Sequence, residues 1–248
     1  MVRALSRRSE ERADPDSMTL FQHLAELRKR LAISLGTFAV GACITYGFYN
    51  EVLSFLVRPY RISCVGCSLV ELAPLQGFTT RLNVCAYGGL VIGLPVILYQ
   101  LWKFVTPGLK ANEKRYALPF VVSSVVLFVL GGMTAYIIYP KGLGWLHQQA
   151  GTGITSEISI QSYIDLICIL ILIFGITFEF PIVLVGLEMA GAVRSATLRR
   201  VRRFSYMGII VFAAVITPSS DPFSLCALAV PLIVFYEAAI VVGRALHK

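Results

Sequence analysis

Several apolar runs of about 20 residues dominate this sequence and limit the folds that it can adopt. A run of that length spans the hydrocarbon core of a bilayer, whereas apolar runs inside soluble proteins are generally shorter. Only 15% of the 248 residues are charged, against about 25% in a typical soluble domain. The chain is therefore predicted to be an all-α membrane protein that lipid solvates, folded as one helical bundle.

Six apolar spans are predicted. The fifth has about 13 residues and covers roughly 20 Å, which is less than a hydrocarbon core of about 30 Å. Such a helix requires a thinned bilayer, or partners and water around it. Both final spans are predicted to be short. The predicted spans run approximately from Leu31 to Asn50, Gln76 to Thr106, Tyr116 to Pro140, Ile160 to Ala190, Phe204 to Ile216 and Phe223 to Val242.

The segment before the first span divides into two parts. Residues 1–17 are polar and charged and are predicted to form a disordered cytoplasmic tail. The stretch up to Arg30 is predicted to be an amphipathic helix lying in the membrane interface, because Phe21, Leu24 and Leu27 recur at helical spacing on one face. Residues 18–245 then form the membrane domain.

The basic residues are distributed unequally between the two sides of the predicted bundle. Eighteen of the 22 Lys and Arg residues fall in the N-terminal segment, the second-to-third connection, the fourth-to-fifth connection and the C-terminus. By the positive-inside rule, both termini are cytoplasmic. This placement is typical of topology signals and of contact with anionic lipid. Nucleic-acid binding is not expected, because no soluble domain remains to carry it.

Three carboxylates are candidate functional groups, because a charge near a membrane is costly. Glu26 precedes the first span and is also explained by an ion pair with Arg30, four residues later. Glu113 precedes the third span and is also explained as a solvated carboxylate beside two cations. Glu179 lies inside the fourth span, where a charge costs about 2.5–3.5 kcal/mol, so it should face protein or water. Pro181 is predicted to kink the helix beside it.

Four motifs occur in order along the chain, and together they resemble the TatC family. They are HLAELRKR at 23–30, PVILYQLWKF running into PGL at 95–109, FGITFEFP at 174–181, and TP with DPFS at 217–224. The resemblance covers residues from about 18 to 245. It implies the multi-spanning receptor of the twin-arginine protein translocase in the bacterial inner membrane.

The function that the resemblance implies is the binding of signal peptides that carry consecutive arginines. Transport of the folded cargo would then use TatA-type and TatB-type single-span partners, a homo-oligomer of the chain within the complex, and the proton-motive force, with no cofactor. Glu26 and Glu113 match the two arginine-binding glutamates of the family, and Arg28 and Phe104 match positions in the same region. The chemistry suits them, because a guanidinium group forms a bidentate pair with a carboxylate and an ammonium group does not.

The resemblance also implies structural or partner-binding roles for four further residues. Glu179, followed by Pro181, matches a polar residue in a concave face that attracts the polar end of a TatA-type helix. Pro59 and Asp221 match positions on the opposite side of the membrane. Leu225 stands where some relatives have a polar residue, which leaves open the partner contact at the sixth span.

Two other functions compete with the receptor interpretation. An ion or small-solute transporter built around Glu179 would need buried charges on several helices, whereas mid-span charge is expected at essentially one residue. An intramembrane enzyme would need a motif such as G-x-S-x-G or H-E-x-x-H, which the sequence lacks, so no catalytic or metal site is predicted. Cys64 and Cys67 form a C-x-x-C motif in the first outward loop. The sequence is compatible with a local disulfide between them and with two free thiols.

Overall fold

The computed structural model describes residues 20–63, 69–105, 117–149, 158–189, 191, 193, 195–218 and 221–246. These residues form nine helices and one pair of two-residue parallel strands. The elements are α1 (Leu20–Gly47), α2 (Tyr49–Ser63), β1 (Leu69–Val70), α3 (Gln76–Val105), α4 (Ala117–Gln149), β2 (Ile158–Ser159), α5 (Ile160–Phe178), α6 (Phe180–Met189), α7 (Ser195–Arg200), α8 (Arg202–Ile216) and α9 (Pro222–Leu246).

Five helical stretches are long and apolar enough to cross a membrane, by length and composition. They belong to α1, α3, α4, α5 together with α6, and α9. The predicted fifth span is α8, which has 15 residues and a length of about 22 Å. The predicted sixth span is α9, which has 25 residues and is long enough to cross, so the expectation that both final spans are short was wrong for this helix. The all-helical fold is therefore confirmed with five candidate spans, while the crossing by α8 and the orientation of the termini stay predictions. The tail, Glu113, Cys64 and Cys67 lie outside the described residues.

The first two helices differ from the prediction. The amphipathic segment is not a separate element, because α1 runs without a break from Leu20 to Gly47. No Gly or Pro stands between its polar start and its apolar part to end the helix. Helix α2 lies in a region predicted as a loop. It buries Leu56, Val57 and Tyr60, whose spacing defines one helical face against the bundle.

The core of the bundle is built around α5. Ile164, Ile167, Leu170 and Phe174 are fully buried, and their spacing of three to four residues places them on one face of the helix. Helix α5 packs against α3, α4 and α9. This central position fixes the end of α5.

The long predicted fourth span is two helices that meet at Glu179. The backbone carbonyl of Glu179 accepts hydrogen bonds from the N–H groups of Ile182 and Val183, at 3.0 and 3.1 Å. Pro181 has no N–H to donate, so the helical ladder is interrupted at this point. Helix α5 ends at Phe178 and α6 begins at Phe180, next to the position where a kink was predicted, and this break places Glu179 at the junction of the two helices.

Helices α1 and α3 pack with their backbones in contact at two glycines. A Cβ atom on Gly41 would lie 2.8 Å from the carbonyl oxygen of Gly89, and one on Gly89 would lie 2.7 Å from the nitrogen of Ala42. Both distances are shorter than a side-chain carbon can reach without moving a backbone. Small residues at such a crossing allow membrane helices to approach closely.

Replacement of Gly89 by alanine is expected to force α1 away from α3. The extra methyl group has no space, and overpacking of this kind lowers the free energy of unfolding by about 1–3 kcal/mol. Gly36→Ala is the matched control, because a Cβ atom on Gly36 would meet no neighbouring atom within 4 Å and both changes gain the same helix propensity. Thermal unfolding of the purified variants in detergent measures the difference, and equal midpoints would contradict the close crossing.

Candidate functional site

The first candidate region lies where the start of α1 meets the end of α3. The Arg30 guanidinium donates from Nε to Oε1 of Glu26 at 3.1 Å, and its Nη2 contacts the same oxygen. Its Nη1 donates to the backbone carbonyl of Gln100 on α3, at 3.4 Å. The side chain of Glu26 is 25% exposed and that of Arg30 is 11% exposed. The ion pair considered from the sequence is therefore present, and it is also a contact between two helices.

The position of Arg30 determines how Glu26 can act. Because both donors of Arg30 converge on Oε1, the pair does not have the forked geometry of a bidentate contact. Arg30 holds the Glu26 carboxylate in place at the end of α3. A guanidinium group that reached this site would meet a carboxylate that is already positioned by Arg30 and that shares its charge with that cation.

The other residues predicted for this region are Phe104, Arg28 and Glu113, and the structure describes the first two. Phe104 is half-buried one helical turn after Gln100, and Arg28 is exposed on α1. The structure thus brings Glu26, Arg28 and Phe104 to the same end of the α1–α3 pair. The segment that contains Glu113 connects Val105 at the end of α3 to Ala117 at the start of α4, and the role of Glu113 stays a prediction.

The second candidate region is an apolar groove of about 880 Å³. Glu179 contributes the only carboxylate among the described residues that line it. The Oε1 atom of Glu179 is buried without a hydrogen-bond partner in the described part of the chain. The walls come from most of the long helices, with Leu94, Phe128, Ile176, Val183, Phe212 and Leu232 as representative side chains.

Pro59 and Asp221 lie at the opposite end of the bundle, where both are buried and support the local structure. Asp221 is 1% exposed, and its Oδ1 accepts a hydrogen bond from the backbone N–H of Ser224 at 2.8 Å. It therefore caps the start of α9. It also lies against Gly142, where a Cβ atom would come within 2.9 Å of both carboxylate oxygens. Pro59 is buried within α2.

Comparison of this chain with known proteins shows which family it belongs to. The profile described as "Sec-independent protein translocase protein (TatC)" matches residues 22–231. A TatC of Frankia casuarinae is 38% identical over 98% of this chain and 70% of its own length. A TatC of Aquifex aeolicus is 35% identical over 92% of this chain and 95% of its own length. The chain belongs to the TatC family.

A solved structure supports the same assignment at the level of the fold. A crystal structure of a twin-arginine translocase receptor, TatC, in DDM superposes with a TM-score of 0.77 and 35% identity. It covers 89% of this chain, and this chain covers 99% of it. Membership in TatC confirms the predicted family, the role as a component of the Sec-independent protein translocase, and the location in the inner membrane. It also favours a translocase over the transporter interpretation.

Besides Glu179, the candidate spans of this TatC contain the carboxylates Asp165, Glu188 and Glu237. Glu188 on α6 is fully buried, and neither of its side-chain oxygens has a hydrogen-bond partner among the described residues. Glu237 on α9 pairs with Arg202 at the start of α8. Asp165 on α5 accepts a hydrogen bond of 2.7 Å from Asn83 on α3. Several helices carry carboxylates, so the number of charges in the spans does not argue against a transporter. Membership in the TatC family does.

Some of these residues could have been found from the sequence of this TatC. Glu188 and Glu237 stand in apolar segments, so the reasoning applied to Glu179 would also have selected them. Ser124 gives no such signal, because a serine in a membrane helix commonly bonds to its own backbone. Only the fold shows that the Ser124 hydroxyl oxygen accepts a hydrogen bond from the indole N–H of Trp102, at 3.0 Å.

Proposed function

We propose that this chain is the signal-peptide receptor and core subunit of a twin-arginine translocase. It binds the twin-arginine signal peptides of folded proteins and recruits TatA-type and TatB-type partners for export driven by the proton-motive force. The observation that carries this proposal is the half-buried Glu26, which Arg30 fixes against the end of α3. A solved relative described as a translocase receptor shares this fold.

The recognition chemistry requires two carboxylates held at a fixed separation. Glu26 supplies the first, on α1. Glu113 supplies the second, in the segment that joins α3 to α4. Each carboxylate pairs with one arginine of the signal, and the partly desolvated setting of Glu26 makes the pair stronger than one in open water. Phe104 provides apolar contact beside the pair.

The groove supplies a second binding surface, for the transmembrane helix of a TatA-type partner. Its walls are apolar apart from a few groups, so a single-span helix can replace lipid there at little cost. Glu179 offers a buried acceptor oxygen, Oε1, to a polar group near the end of that helix. A buried acceptor without a partner is costly, which favours an occupant that can donate to it.

Photo-crosslinking tests the receptor proposal. A photoreactive residue placed beside the arginine pair of a signal peptide is expected to label this protein in native membranes. The labelled peptides should come from residues 20–30 and from the segment between α3 and α4. Labelling confined to α2 or to the start of α9, which lie at the opposite end, would contradict the proposed site.

We further infer that α8 is the fifth crossing and that both termini face the cytoplasm. Helix α8 runs antiparallel to α9, because Arg202 pairs with Glu237 and Ser205 donates to the Tyr236 hydroxyl at 2.9 Å. The start of α8 therefore lies beside Tyr236 and Glu237, before the last turns of α9. Helix α7 lies at the same end of α9, since its Leu198 carbonyl accepts a hydrogen bond from the Tyr236 hydroxyl at 2.8 Å, and we assign this end to the cytoplasmic side.

Thiol labelling of intact cells tests this orientation. In a background without the six native cysteines, a cysteine at the exposed position Glu71 should react with an impermeant reagent added from outside. A cysteine at the exposed position Ala196 on α7 should react only after the membrane is opened, since the charge distribution places it inside. Reaction of the Ala196→Cys variant in intact cells would contradict the proposed orientation and indicate the opposite one.

A further inference from the structure

Helix α8 forms one wall of the groove and has little support from the rest of the bundle. In the described part of the chain it packs chiefly against α9, and of its 15 residues only Ile209 and Ala213 are buried. Its outer face is open, since Phe204 and Val215 are each 82% exposed. The position of α8 relative to α9 therefore determines the width of the groove. The residues of α8 that line the groove are Ser205, Gly208, Ile209, Phe212 and Ile216.

The start of α8 is tied to α9 through the carboxylate of Glu237. Its Oε2 accepts a hydrogen bond from Nη2 of Arg202 at 2.5 Å, and its Oε1 accepts one from the Tyr206 hydroxyl. Arg202 and Tyr206 are four residues apart, so they lie on the same face of α8. The side chains of Arg202 and Glu237 are 38% and 34% exposed. This contact therefore lies at the edge of the bundle, where it can open without unpacking the core.

A second set of hydrogen bonds joins this contact to the lining of the groove. The Ser205 hydroxyl donates to the Tyr236 hydroxyl oxygen at 2.9 Å, and the Tyr236 hydroxyl donates to the Leu198 carbonyl on α7 at 2.8 Å. The Tyr236 ring also meets the Tyr206 ring edge to face, with centroids 6.0 Å apart. Ser205, Tyr236 and Leu198 all line the groove. The groove lining and the contact at Glu237 are thus parts of one cluster.

The other end of α8 is held by the chain itself. The helix ends at Ile216, and residues 217–221 lead directly into α9. The Thr217 hydroxyl donates to the Ala213 carbonyl of α8 at 2.8 Å, which is a bond within the last turn and not to another helix. Helix α8 is therefore held at its end by a short connection and at its start by the side chains that meet Glu237.

We propose that Glu237, Arg202 and Tyr206 form a latch that positions α8 at the separation from the opposite wall that a partner helix requires. While the latch is closed, the start of α8 cannot move away from α9, and the wall keeps its shape. When the latch opens, α8 pivots about its connection to α9. A wall that is already ordered binds more tightly than one that must be ordered on binding. The proposal rests on the assignment of the groove as the partner site.

Distances between spin labels on the full-length protein measure the latch directly. In a background without native cysteines, one label is placed at the exposed Met207 on α8 and the other at the exposed Val96 on α3. Arg202→Ala is expected to shift their mean distance by roughly 2–5 Å, the size of helix shifts at other interfaces. Labels at the exposed Val234 on α9 and at Val96 should keep their distance. Arg203→Ala is the matched control, since Arg203 is the exposed neighbour of Arg202 on α8.

Exchange of the two charges separates positioning from general packing. Glu237→Ala removes both contacts of the latch and should shift α8 further than Arg202→Ala. Combining Arg202→Glu with Glu237→Arg restores an ion pair and should return the mean distance towards that of the unmodified protein. An unchanged distance in both alanine variants would overturn the proposal. An exchanged variant as displaced as Arg202→Ala would show that these residues act through packing, and would also overturn it.

Crosslinking then connects the latch to the partner. With a photoreactive residue at Ile176 in the groove, Arg202→Ala should reduce capture of a TatA-type partner by roughly three- to fivefold, as expected for a partly exposed ion pair. The variant with exchanged charges should recover much of this loss. A displaced α8 with normal crosslinking would remove the assignment of the groove to the partner, and with it the role of the latch in recruitment, independently of the distance result.

Discussion

Replacement of Glu26 or Glu113 by alanine is expected to weaken the binding of a twin-arginine peptide by roughly 30-fold to several-thousand-fold. Removal of one partner from a partly desolvated charge pair costs about 2–5 kcal/mol, which corresponds to that range of affinity. Glu26→Ala should have the larger effect, because it also leaves Arg30 without its carboxylate at the site. The remaining cation then repels the arginines of the peptide, and Glu26→Lys adds to this repulsion.

Peptide affinity for the purified variants in detergent measures this effect. Glu51→Ala is the matched control, since Glu51 is an exposed glutamate on α2 at the other end of the bundle. Combining Glu26→Ala with Arg30→Gln should recover part of the loss, because the unpaired cation is removed. If Glu26→Ala and Glu113→Ala both bind at the affinity of the unmodified protein, these glutamates are ordinary surface charges.

Replacement of Glu179 by leucine is expected to abolish most recruitment of a TatA-type partner and, with it, transport. The change removes the only carboxylate acceptor among the described residues of the groove. A hydrogen bond to a charged group contributes about 1.5–3 kcal/mol, so partner affinity should fall roughly tenfold to over a hundredfold. Glutamine should retain part of the function, because its amide oxygen still accepts a hydrogen bond.

Crosslinking of the partner inside the groove and binding of a signal peptide should be measured on the same Glu179 variants. Signal-peptide affinity should stay close to that of the unmodified protein, since Glu179 lies at the junction of α5 and α6, away from Glu26. Transport by Glu179→Leu at the unmodified rate would show that the carboxylate is merely tolerated in the groove wall.

The parts of the fold that depend on local sequence could be predicted. The second span was expected from Gln76 to Thr106, and α3 runs from Gln76 to Val105, because a long apolar run has clear polar boundaries. The interruption beside Pro181 follows from the chemistry of proline alone. Helix α2 could not be found from apolar run length, because it is short, amphipathic and contains Pro59.

The candidate site was predictable only where a motif marked it. Glu26 and Glu179 stand out as carboxylates in distinctive sequence contexts. The contact of Arg30 with Gln100 joins residues 70 positions apart, and the contact of Trp102 with Ser124 joins α3 to α4. No local pattern encodes such pairs, because they depend on how the helices pack. The contact between Trp102 and Ser124 therefore emerged only from the fold.

The most direct test of receptor function compares two peptides on the unmodified protein. The peptides are identical except that one carries two arginines and the other two lysines, and their affinities are measured at the same ionic strength. An ammonium group lacks the planar fork that engages a carboxylate bidentately. The proposed site therefore predicts that the twin-lysine peptide binds at least about tenfold more weakly, a difference of roughly 1.4 kcal/mol. Equal affinity for the two peptides would contradict recognition of paired arginines by Glu26 and Glu113.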